Sequence, residues 1–120
     1  MTSELATKHC VPCEGDTKPM APTAAEAYLA QVAGWHLVSG EPLKIARRLR
    51  FKDFAQAMQF VNRAAEVAEA EGHHPDLCVS WNRVSLELFT HAIGGLSEND
   101  FIMAAKINSL ERSENREPRT

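Results

Sequence analysis

Residues 69–76 of this chain read Glu69-Ala70-Glu71-Gly72-His73-His74-Pro75-Asp76. Gly72 follows a helical run, and glycine ends a helix in the left-handed conformation at little steric cost. Pro75 then disfavours helical backbone for His74, because its ring clashes with the residue before it. The stretch therefore predicts that a helix ends, a strand begins, and two adjacent imidazoles lie at the joint.

The two histidines have a functional and a structural interpretation. With Glu69 one helical turn upstream, imidazoles held in a rigid turn are suited to moving protons near neutral pH. Paired histidines in a turn can equally be surface residues without chemistry. The dipeptide alone leaves both interpretations open.

Length and composition describe an ordinary globular domain. The 120 residues are 44% hydrophobic and 24% charged, and chains split into several domains only beyond about 250 residues. A net charge of −3 gives no general attraction to nucleic acid or to anionic membranes. No apolar run approaches the roughly 20 residues of a membrane span and no signal-peptide pattern opens the sequence, so we expect a cytoplasmic protein. Three cysteines argue against a disulfide framework.

Residues 1–22 show no periodicity and are expected to form a flexible N-terminal arm. They contain His9-Cys10-Val11-Pro12-Cys13, in which the two thiols have the spacing of a zinc-binding pair. A closed structural zinc site needs four ligands and the sequence has no second pair, so we expect no metal and keep a zinc-binding arm as the alternative. Cys78 is predicted to be a half-buried thiol in a strand.

The first half of the domain is predicted to contain a helix and a hairpin. Thr23 and Glu26 form a capping-box pattern, so a helix is expected over 23–34 with Gly34 at its end. A short strand over 35–39 and a turn over 39–42 follow. From residue 43 to residue 52 apolar and basic residues alternate, which predicts a strand with one solvated face.

The basic residues of this strand allow more than one interpretation. Arg47 falls on the apolar side, so it lies at a bulge, at the sheet edge or beside an acidic partner. Nucleic-acid binding would need aromatic residues between the basic ones for base stacking, and only Phe51 is present. We therefore expect no nucleic-acid partner, but a solvated face or one that meets an anionic small ligand or a subunit. The basic cluster comprises Lys44, Arg47, Arg48, Arg50 and Lys52.

The second half repeats the order helix, strand, strand. A helix is expected from Asp53 to Glu71. Alternating residues over 77–82 and 84–89 predict two strands with a corner at Asn82-Arg83, and the second strand is expected to end at His91. The apolar stripe of the helix is predicted to comprise Phe54, Met58, Val61, Ala65 and Ala68.

The last helix is predicted to start at Ser97, with Asp100 at the N3 position of its cap and Leu96 and Phe101 as a hydrophobic staple. Its apolar band is wider than one packing face needs. We therefore expect its second side to meet another subunit. Residues 111–120 lose the pattern and are expected to form a disordered tail. The band comprises Phe101, Ile102, Met103, Ala104, Ala105, Ile107 and Leu110.

The predicted order of elements, α-β-β-α-β-β-α, describes an α+β domain over 23–110. Helices are expected to cover one face of a four-stranded antiparallel sheet. The sequence has no glycine-rich phosphate loop, nucleotide fingerprint, His-x-x-x-His helix or acidic metal cluster. An acid–base site without a metal or nucleotide remains, and its candidate residues are His73, His74, His91, Glu69, Asp76 and Asp100.

Several short motifs occur in a specific order. They are Glu69-x-x-x-His73-His74-Pro75, then Trp81-Asn82-x-Val84-x-Leu86-x-Leu88-x-Thr90-His91, then Gly95-Leu96-Ser97-x-x-Asp100. Together with Gly34-Trp35 and Phe51-Lys52-Asp53-Phe54, this combination resembles the pterin-4a-carbinolamine dehydratases. The resemblance covers roughly residues 23–110. Trp81 stands where a tyrosine is common in that family.

The resemblance implies dehydration of a 4a-hydroxytetrahydropterin to the quinonoid dihydropterin, which regenerates pterin after aromatic amino-acid hydroxylation. It implies a homodimer or homotetramer, no cofactor, and a functional link to a hydroxylase. Animal members also serve as a dimerisation cofactor of a transcription factor, so a non-catalytic binding module is the alternative. The active-site imidazoles it implies are His73, His74 and His91. The residues it implies near the pterin are Trp35, Glu69, Pro75 and Asp100.

Histidine suits the implied reaction. Dehydration needs one proton delivered to the 4a oxygen and one removed from N5, and an imidazole pKa of about 6.5 leaves both protonation states populated. We expect His73 and His91 to transfer protons and His74 to bind and orient the ring. Glu69 can fix the tautomer of one imidazole. Asp100 is either a helix cap or a site residue.

Overall fold

The computed structural model describes residues 4–11 and 18–114, with side chains up to residue 110. Within these residues the helices and strands follow the predicted order, and short 3-10 turns at Glu4–Thr7 and His91–Ile93 are added. None of the helices described there is both long and apolar enough to cross a bilayer. The elements are α1 (Pro22–Leu29), β1 (His36–Val38), β2 (Lys44–Arg50), α2 (Phe54–Glu71), β3 (Asp76–Ser80), β4 (Arg83–Leu88) and α3 (Glu98–Glu114).

The strands form one antiparallel sheet in the order β1-β2-β4-β3, which confirms the predicted α+β fold. Burial alternates along β4, where Val84, Leu86 and Leu88 are fully buried and Arg83 is exposed. Successive side chains of a strand point to opposite faces, so one face of the sheet is packed and the other is open. The packed face shares one hydrophobic core with α2 and α3.

Both predicted ends of α2 are confirmed. The carboxylate of Asp53 accepts the backbone N–H of Gln56 at 2.9 Å and caps the start of the helix. Gly72 ends the helix with a φ of 67°, and its N–H donates to the carbonyl of Ala68 at 2.9 Å. Left-handed backbone costs glycine little, and the turn it makes leads directly into His73.

The buried stripe of α2 differs from the predicted one. Phe54, expected in the stripe, is 52% exposed, whereas Phe60 is fully buried with its ring centroid 5.2 Å from that of Phe51. Alanines allow close helix packing but carry little hydrophobic signal, so the pattern favoured larger side chains on a neighbouring stripe. The residues that α2 buries are Ala57, Phe60, Ala64 and Ala68.

α1 begins one residue earlier than predicted. Its first residue is Pro22, and the N-cap Ala21 makes no side-chain hydrogen bond, so the expected capping box of Thr23 and Glu26 is wrong. Proline is favoured at the first helical position, because the N–H that it lacks would have no partner there. Proline, rather than a side-chain cap, marks this helix start.

α1 also ends earlier, at Leu29 instead of near Gly34. The N–H groups of Gln31 and Val32 donate to carbonyls three residues back, which tightens the chain beyond the helix. Val32 is thereby 1% exposed in the core. The periodicity that suggested a longer helix belongs to this tight turn.

The β3–β4 hairpin turns one residue earlier than predicted. Ser80 pairs with Arg83, so Trp81 and Asn82 form the corner. Trp81 has a φ of 53° and is 64% exposed. Asn82 is buried, and its side-chain N–H donates to the carbonyl of Phe51 at 2.9 Å. This hydrogen bond to another part of the chain helps to fix the corner, and apolar alternation cannot report it.

Arg47 lies on the packed side of the sheet and contacts a buried amide. Its guanidinium donates to Oδ1 of Asn108 on α3, which also accepts the indole N–H of Trp35 at 2.9 Å. The Asn108 side-chain N–H donates to the carbonyl of Ala33 at 3.0 Å. β2 is an inner strand with regular pairing, which excludes the bulge and the sheet edge as explanations for Arg47.

The wide apolar band of α3 is buried within a single chain. The 3-10 turn Glu4–Thr7 packs on α3, and its Leu5 is 3% exposed. Part of the N-terminal arm thus lies on α3, where a second subunit was expected. The width of the band is therefore explained without a subunit interface. The band residues that are 0–2% exposed are Phe101, Ile102, Met103, Ala104, Ala105 and Ile107.

The described parts of the arm contact the domain at several points. The N–H of Met20 donates to the carbonyl of Leu96 at 2.8 Å, and the Lys106 ammonium donates to the carbonyl of Ala6 at 2.8 Å. α3 continues to Glu114, past the predicted boundary at residue 110. Residues 1–3, 12–17 and 115–120 lie outside the described residues, and the division into arm, domain and tail stays a prediction.

Candidate active site

One cavity of about 430 Å³ brings the three predicted histidines together. It is lined by 71–76, from the last residue of α2 to the first of β3, by 90–92 after β4, by 10–11 of the arm, and by Asn99 in the first turn of α3. A concave site with a few convergent polar groups is the usual place for a small molecule to bind. Four separate parts of the chain therefore build the candidate site.

His73 contacts a buried carboxylate. Its Nε2 atom lies 2.6 Å from Oδ1 of Asp100, and the two side chains are 11% and 0% exposed. An ionised carboxylate only accepts hydrogen bonds, so the proton between them belongs to Nε2. In the neutral ring, Nδ1 is then the atom that can accept a proton. Asp100 thus fixes the tautomer of His73, as carboxylates do for catalytic histidines.

Asp100 combines the two roles that the sequence left open. Its Oδ2 accepts the backbone N–H of Ser97 at 2.9 Å, which confirms the predicted cap of α3. The same oxygen accepts the hydroxyl of Thr90 at 2.9 Å, while Oδ1 faces His73. A fully buried carboxylate with three partners has little freedom to move. Asp100 therefore sets the position of His73 as well as the start of the helix.

His74 and Glu69 form a second imidazole–carboxylate pair, at the surface. Nε2 of His74 lies 2.7 Å from Oε2 of Glu69, and the side chains are 58% and 78% exposed. Solvent screens such exposed pairs, so this contact is weaker than the buried one of His73. Pro75, which follows His74, also lines the cavity.

His91 reaches the cavity from the loop after β4. The strand ends at Leu88 and His91 opens a 3-10 turn, so the predicted end of the strand at His91 is wrong. Backbone hydrogen bonds of 2.7 and 3.4 Å between Thr90 and Gly95 close the loop. The imidazole packs on the Phe89 ring, with 4.1 Å between the ring centroids. An aromatic ring orients this histidine, whereas carboxylates orient the other two.

Trp35, expected near the pterin, lies in the core instead. It is 6% exposed, and its indole N–H is bound to Asn108 on α3. It does not line the 430 Å³ cavity. Trp35 therefore joins β1 to α3, and sequence reasoning could not separate this packing role from a role in the pocket.

Glu71 binds the N-terminal arm at the edge of the cavity. Its carboxylate accepts the backbone N–H of Cys10 at 2.7 Å and lies 2.8 Å from Nδ1 of His9, and the Lys106 ammonium is 3.8 Å away. Burial is the largest effect and raises the pKa of Glu71. The hydrogen bonds from Cys10 and His9 and the charge of Lys106 together outweigh it, so the pKa of Glu71 is lowered.

Asn99 holds the next residue of the arm. Its Oδ1 accepts the N–H of Val11 at 3.0 Å and its Nδ2 donates to the carbonyl of Val11 at 2.6 Å. The thiol of Cys10 lies 3.6 Å from the backbone carbonyl of Asn99. Burial, followed by the charges of Glu71 and Asp100, raises the pKa of this thiol to about 12, so it is uncharged at neutral pH.

The zinc alternative for the arm stays untested. In the ranges that the structure describes, no three His, Cys, Asp or Glu side chains are grouped as metal ligands. Cys13, the second thiol of the predicted pair, lies outside those ranges. Cys78 is exposed rather than half-buried, because it pairs with Ser85 on the open face of the sheet.

Sequence reasoning missed Glu71 and Asn99 as the residues that hold the arm. An acidic residue in the last turn of a helix opposes the helix dipole, so Glu71 carried a signal that it needs a partner elsewhere. Asn99 carried no such signal, since asparagine is common near helix starts for local reasons. Its two hydrogen bonds to Val11 join residues that lie 88 positions apart in the chain.

The family model and the individual relatives that match this chain name the same family. The family described as "Pterin 4 alpha carbinolamine dehydratase" matches residues 18–110. The chain is 51% identical over 112 residues to "Pterin-4-alpha-carbinolamine dehydratase 2, mitochondrial" of Arabidopsis thaliana, covering 91% of this chain and 60% of that protein. It is 45% identical over 108 residues to a Rubrobacter xylanophilus protein named "Putative pterin-4-alpha-carbinolamine dehydratase", covering 90% of this chain and 99% of that protein.

Solved structures agree with this match. A Brucella melitensis protein described as a "transcriptional coactivator/pterin dehydratase" has a TM-score of 0.73 and 35% identity, covering 78% of this chain and 98% of that one. A pterin dehydratase-like protein, described as a RuBisCO assembly factor in the alpha-carboxysome, has a TM-score of 0.56 and 26% identity over 64% of this chain and 88% of that one. The chain therefore belongs to the pterin-4a-carbinolamine dehydratase family.

Proposed function

We propose that this chain removes water from a 4a-hydroxytetrahydropterin and releases the quinonoid dihydropterin. The observation that carries the proposal is one cavity lined by His73, His74 and His91, the imidazoles at the positions that the family resemblance implies. Membership of a family whose curated members are named as dehydratases supports the same reaction class, a carbon–oxygen lyase. The proposal concerns a small-molecule substrate and needs no redox step.

The reaction requires two proton movements around one ring. The bond between C4a and the hydroxyl oxygen breaks as a proton reaches that oxygen, and water leaves. The N5 lone pair forms the new double bond to C4a, and the N5 proton is given up to a base. Positioned general acids and bases each contribute typically 10²–10⁴-fold to such steps.

His73 and His91 are the proposed proton-transfer groups. Because Asp100 occupies Nε2 of His73 at 2.6 Å, Nδ1 of His73 is the atom proposed to face the substrate. The His91 ring packs on Phe89, and within the described part of the chain neither of its nitrogens is hydrogen-bonded to a carboxylate, so both can meet solvent or substrate. Which of the two imidazoles gives the proton to oxygen, and which takes it from N5, is set by how the pterin lies in the cavity.

His74 is proposed to bind and orient the pterin. It is more exposed than His73 and its carboxylate partner Glu69 is itself mostly in solvent, so the pair is less rigid than His73 with Asp100. Pro75 supports the wall next to it. Trp35 is not carried into the proposed binding site, because its side chain lies in the core.

The test is the rate at which a freshly generated 4a-hydroxytetrahydropterin disappears in the presence of purified protein. The wild-type chain should exceed the uncatalysed rate clearly, and the double variant His73→Ala with His91→Ala should return close to it. Arg48→Ala on the open face of the sheet is the matched control and should keep wild-type activity. A wild-type rate equal to that of buffer would overturn the proposal. Repeating the assay with several C6 side chains identifies the preferred pterin.

A binding module without catalysis is the second candidate. It is favoured by the similarity to the Brucella melitensis protein, which is described as a transcriptional coactivator as well as a pterin dehydratase. The same assay separates the two functions, because a pure binding module would bind pterin without accelerating its dehydration.

A link to an aromatic amino-acid hydroxylase and a homodimer or homotetramer stay proposals from the family resemblance, and a cytoplasmic location stays a proposal from the sequence pattern. The apolar band of α3 no longer supports the oligomer, because it is covered within the chain. Light scattering at micromolar concentration tests the oligomeric state directly.

A further inference from the structure

Residues 9–11 of the N-terminal arm, here called the arm wall, lie at the same cavity as the three histidines. Cys10 and Val11 line the cavity directly. Val11 is 65% exposed, which makes it one of the few large apolar side chains that face solvent in the described part of the chain. An apolar side chain at the rim of a cavity gains free energy when a ligand covers it. The arm wall is therefore placed to contact a bound molecule.

Two side chains of the domain hold the arm wall, and both line the cavity themselves. Glu71 accepts the N–H of Cys10 at 2.7 Å and contacts the His9 ring, while Asn99 binds the N–H and the carbonyl of Val11 at 3.0 and 2.6 Å. These contacts fix the backbone on both sides of Cys10. Because the backbone of Cys10 and Val11 is held by these hydrogen bonds, the position of the Val11 side chain at the cavity is fixed.

Residues 4–8 of the arm are attached to the domain independently of the arm wall. Leu5 is buried in the core, Lys106 binds the carbonyl of Ala6, and Lys8 forms an exposed ion pair with Glu98 at 2.9 Å. Loss of the Glu71 or Asn99 contacts should therefore loosen the arm wall without detaching the preceding 3-10 turn. The effect of the wall on the cavity can thus be measured in a folded protein.

We infer that the arm wall is part of the pterin-binding surface, and that Glu71 and Asn99 are positioning residues that hold it there. The inference rests on the proposed function, since it concerns the substrate of that site. Neither Glu71 nor Asn99 takes part in proton transfer. Their loss should therefore weaken substrate binding and leave the chemical step nearly unchanged.

The first experiment uses Glu71→Ala with Glu71→Gln as the conservative variant. Glu71→Ala should raise KM roughly tenfold or more, because the arm wall loses a hydrogen bond to a charged acceptor and must then be ordered when the substrate binds, while kcat stays within about threefold. Glu71→Gln keeps an oxygen that can accept the Cys10 N–H, so its KM should lie between those of the wild type and Glu71→Ala. Asn99→Ala should raise KM in the same way. An unchanged KM in both alanine variants overturns the inference.

Alkylation of Cys10 by iodoacetamide reports independently whether the wall has been released. In the wild type the half-buried thiol should react slowly, and in Glu71→Ala it should react at least about tenfold faster as its remaining burial and the neighbouring charge are lost. Fragment spectra of the labelled peptide separate Cys10 from Cys13. Faster alkylation with an unchanged KM would show that the wall is not part of the binding surface. Alkylation that stays slow would show that Glu71 does not hold it.

Val11→Ala is the second variant, because it leaves every backbone contact in place and removes only the exposed side-chain carbons. It should raise KM roughly threefold to tenfold, because a ligand at the rim covers only part of the two methyl carbons that are removed. Lys8→Ala is the matched control on the same arm, since its exposed ion pair contributes little and does not line the cavity. Lys8→Ala should keep KM within about twofold, and an equal rise in both variants would overturn the inference.

Binding of 7,8-dihydrobiopterin, a stable pterin without the 4a-hydroxyl, separates this inference from the proposed reaction. Fluorescence titration gives its Kd for the wild type and for each variant. If the wild type has no dehydratase activity but the Kd rises in Glu71→Ala and Val11→Ala, the reaction fails and the binding wall holds. If the wild type is active and neither Kd nor KM changes, the reaction holds and the binding wall fails.

Discussion

The carboxylate of Asp100 lies 2.6 Å from Nε2 of His73, while its other oxygen is held at 2.9 Å by both the hydroxyl of Thr90 and the N–H of Ser97. One fully buried side chain therefore ties the joint after α2, the loop after β4 and the start of α3 together. Asp100 therefore caps α3 and also orients the imidazole of His73. Its two roles can be separated by substitution.

Asp100→Asn should lower kcat by roughly 10-fold to 150-fold, because a hydrogen bond to a charged group contributes about 1.5–3 kcal/mol. The asparagine oxygen can still accept the N–H of Ser97, so the helix cap is kept. Its melting temperature should therefore stay above that of Asp100→Ala, which loses both roles. Steady-state kinetics and thermal unfolding of the two variants measure this. An unchanged kcat in Asp100→Asn would mean that Asp100 is only a cap.

Glu69→Gln should have a much smaller effect than Asp100→Asn, although both carboxylates contact a histidine. Glu69 and His74 are 78% and 58% exposed, and exposed ion pairs contribute about 0.2–1 kcal/mol, so kcat/KM should fall by less than roughly fivefold. His74→Ala should raise KM more than it lowers kcat. If Glu69→Gln lowered kcat/KM as much as Asp100→Asn, the His74–Glu69 pair would have to be more buried than the structure shows.

The contact between Glu71 and the arm should weaken in acid. The pKa of Glu71 is lowered below its usual value near 4.5, so its stabilising effect is fully present above that pH and is lost as the pH falls through the lowered pKa. The groups that face it are His9, Cys10 and Lys106. Denaturant unfolding between about pH 6 and pH 3 should therefore show a shallower acid-induced loss in Glu71→Gln than in the wild type. Parallel curves would exclude an ionised Glu71 as a contributor.

Gly95→Ala should destabilise the chain more than Gly94→Ala. A Cβ atom at Gly95 would lie 2.6 Å from Cβ of Pro19, and overpacking costs typically 1–3 kcal/mol. Gly94 has a φ of 64° and open space around a Cβ, so alanine there meets only backbone strain of roughly 1–2 kcal/mol. Thermal unfolding of both variants measures the difference. A smaller effect at Gly95 would mean that the segment around Pro19 yields easily.

Local signals explain which parts of the fold could be predicted. Asp53 and Gly72 act on residues at most four positions away, and the structure confirms both ends of α2. The predicted cap of α3 by Asp100 is confirmed for the same reason. The sheet followed from alternation, which depends on neighbouring residues alone. These features need no knowledge of the rest of the chain.

Contacts between distant parts of the chain explain what was missed. Asn82 is buried at the hairpin corner because it binds the backbone of Phe51. The 3-10 turn Glu4–Thr7 lies on α3 because its Leu5 is buried in the core. The three histidines could be singled out by residue type and by family resemblance. Glu69 and Asp100 were named as candidates from the sequence, but which imidazole each one contacts could not be predicted. The arm at the cavity depends on pairs such as Cys10–Asn99, which lie 89 positions apart.

The two proposed proton-transfer groups, His73 and His91, should be separable from the proposed binding group, His74. His73→Ala and His91→Ala should each lower kcat at least about 100-fold with little change in KM, because a general acid or base contributes typically 10²–10⁴-fold. His73→Ala also leaves the buried Asp100 without its imidazole partner, so it should lower the melting temperature more than His91→Ala, whose ring is exposed.

The double variant His73→Ala with His91→Ala tests whether the two imidazoles act on one bound substrate. Dehydration also proceeds slowly in water, so the double variant should reach that floor instead of showing the product of the two single losses. Rates are compared under single-turnover conditions, which separate the chemical step from product release. If His74→Ala lowers kcat most, the division of roles is wrong. If none of the three single variants loses tenfold, histidine catalysis itself is excluded, since each acid or base should contribute more than about 1.4 kcal/mol.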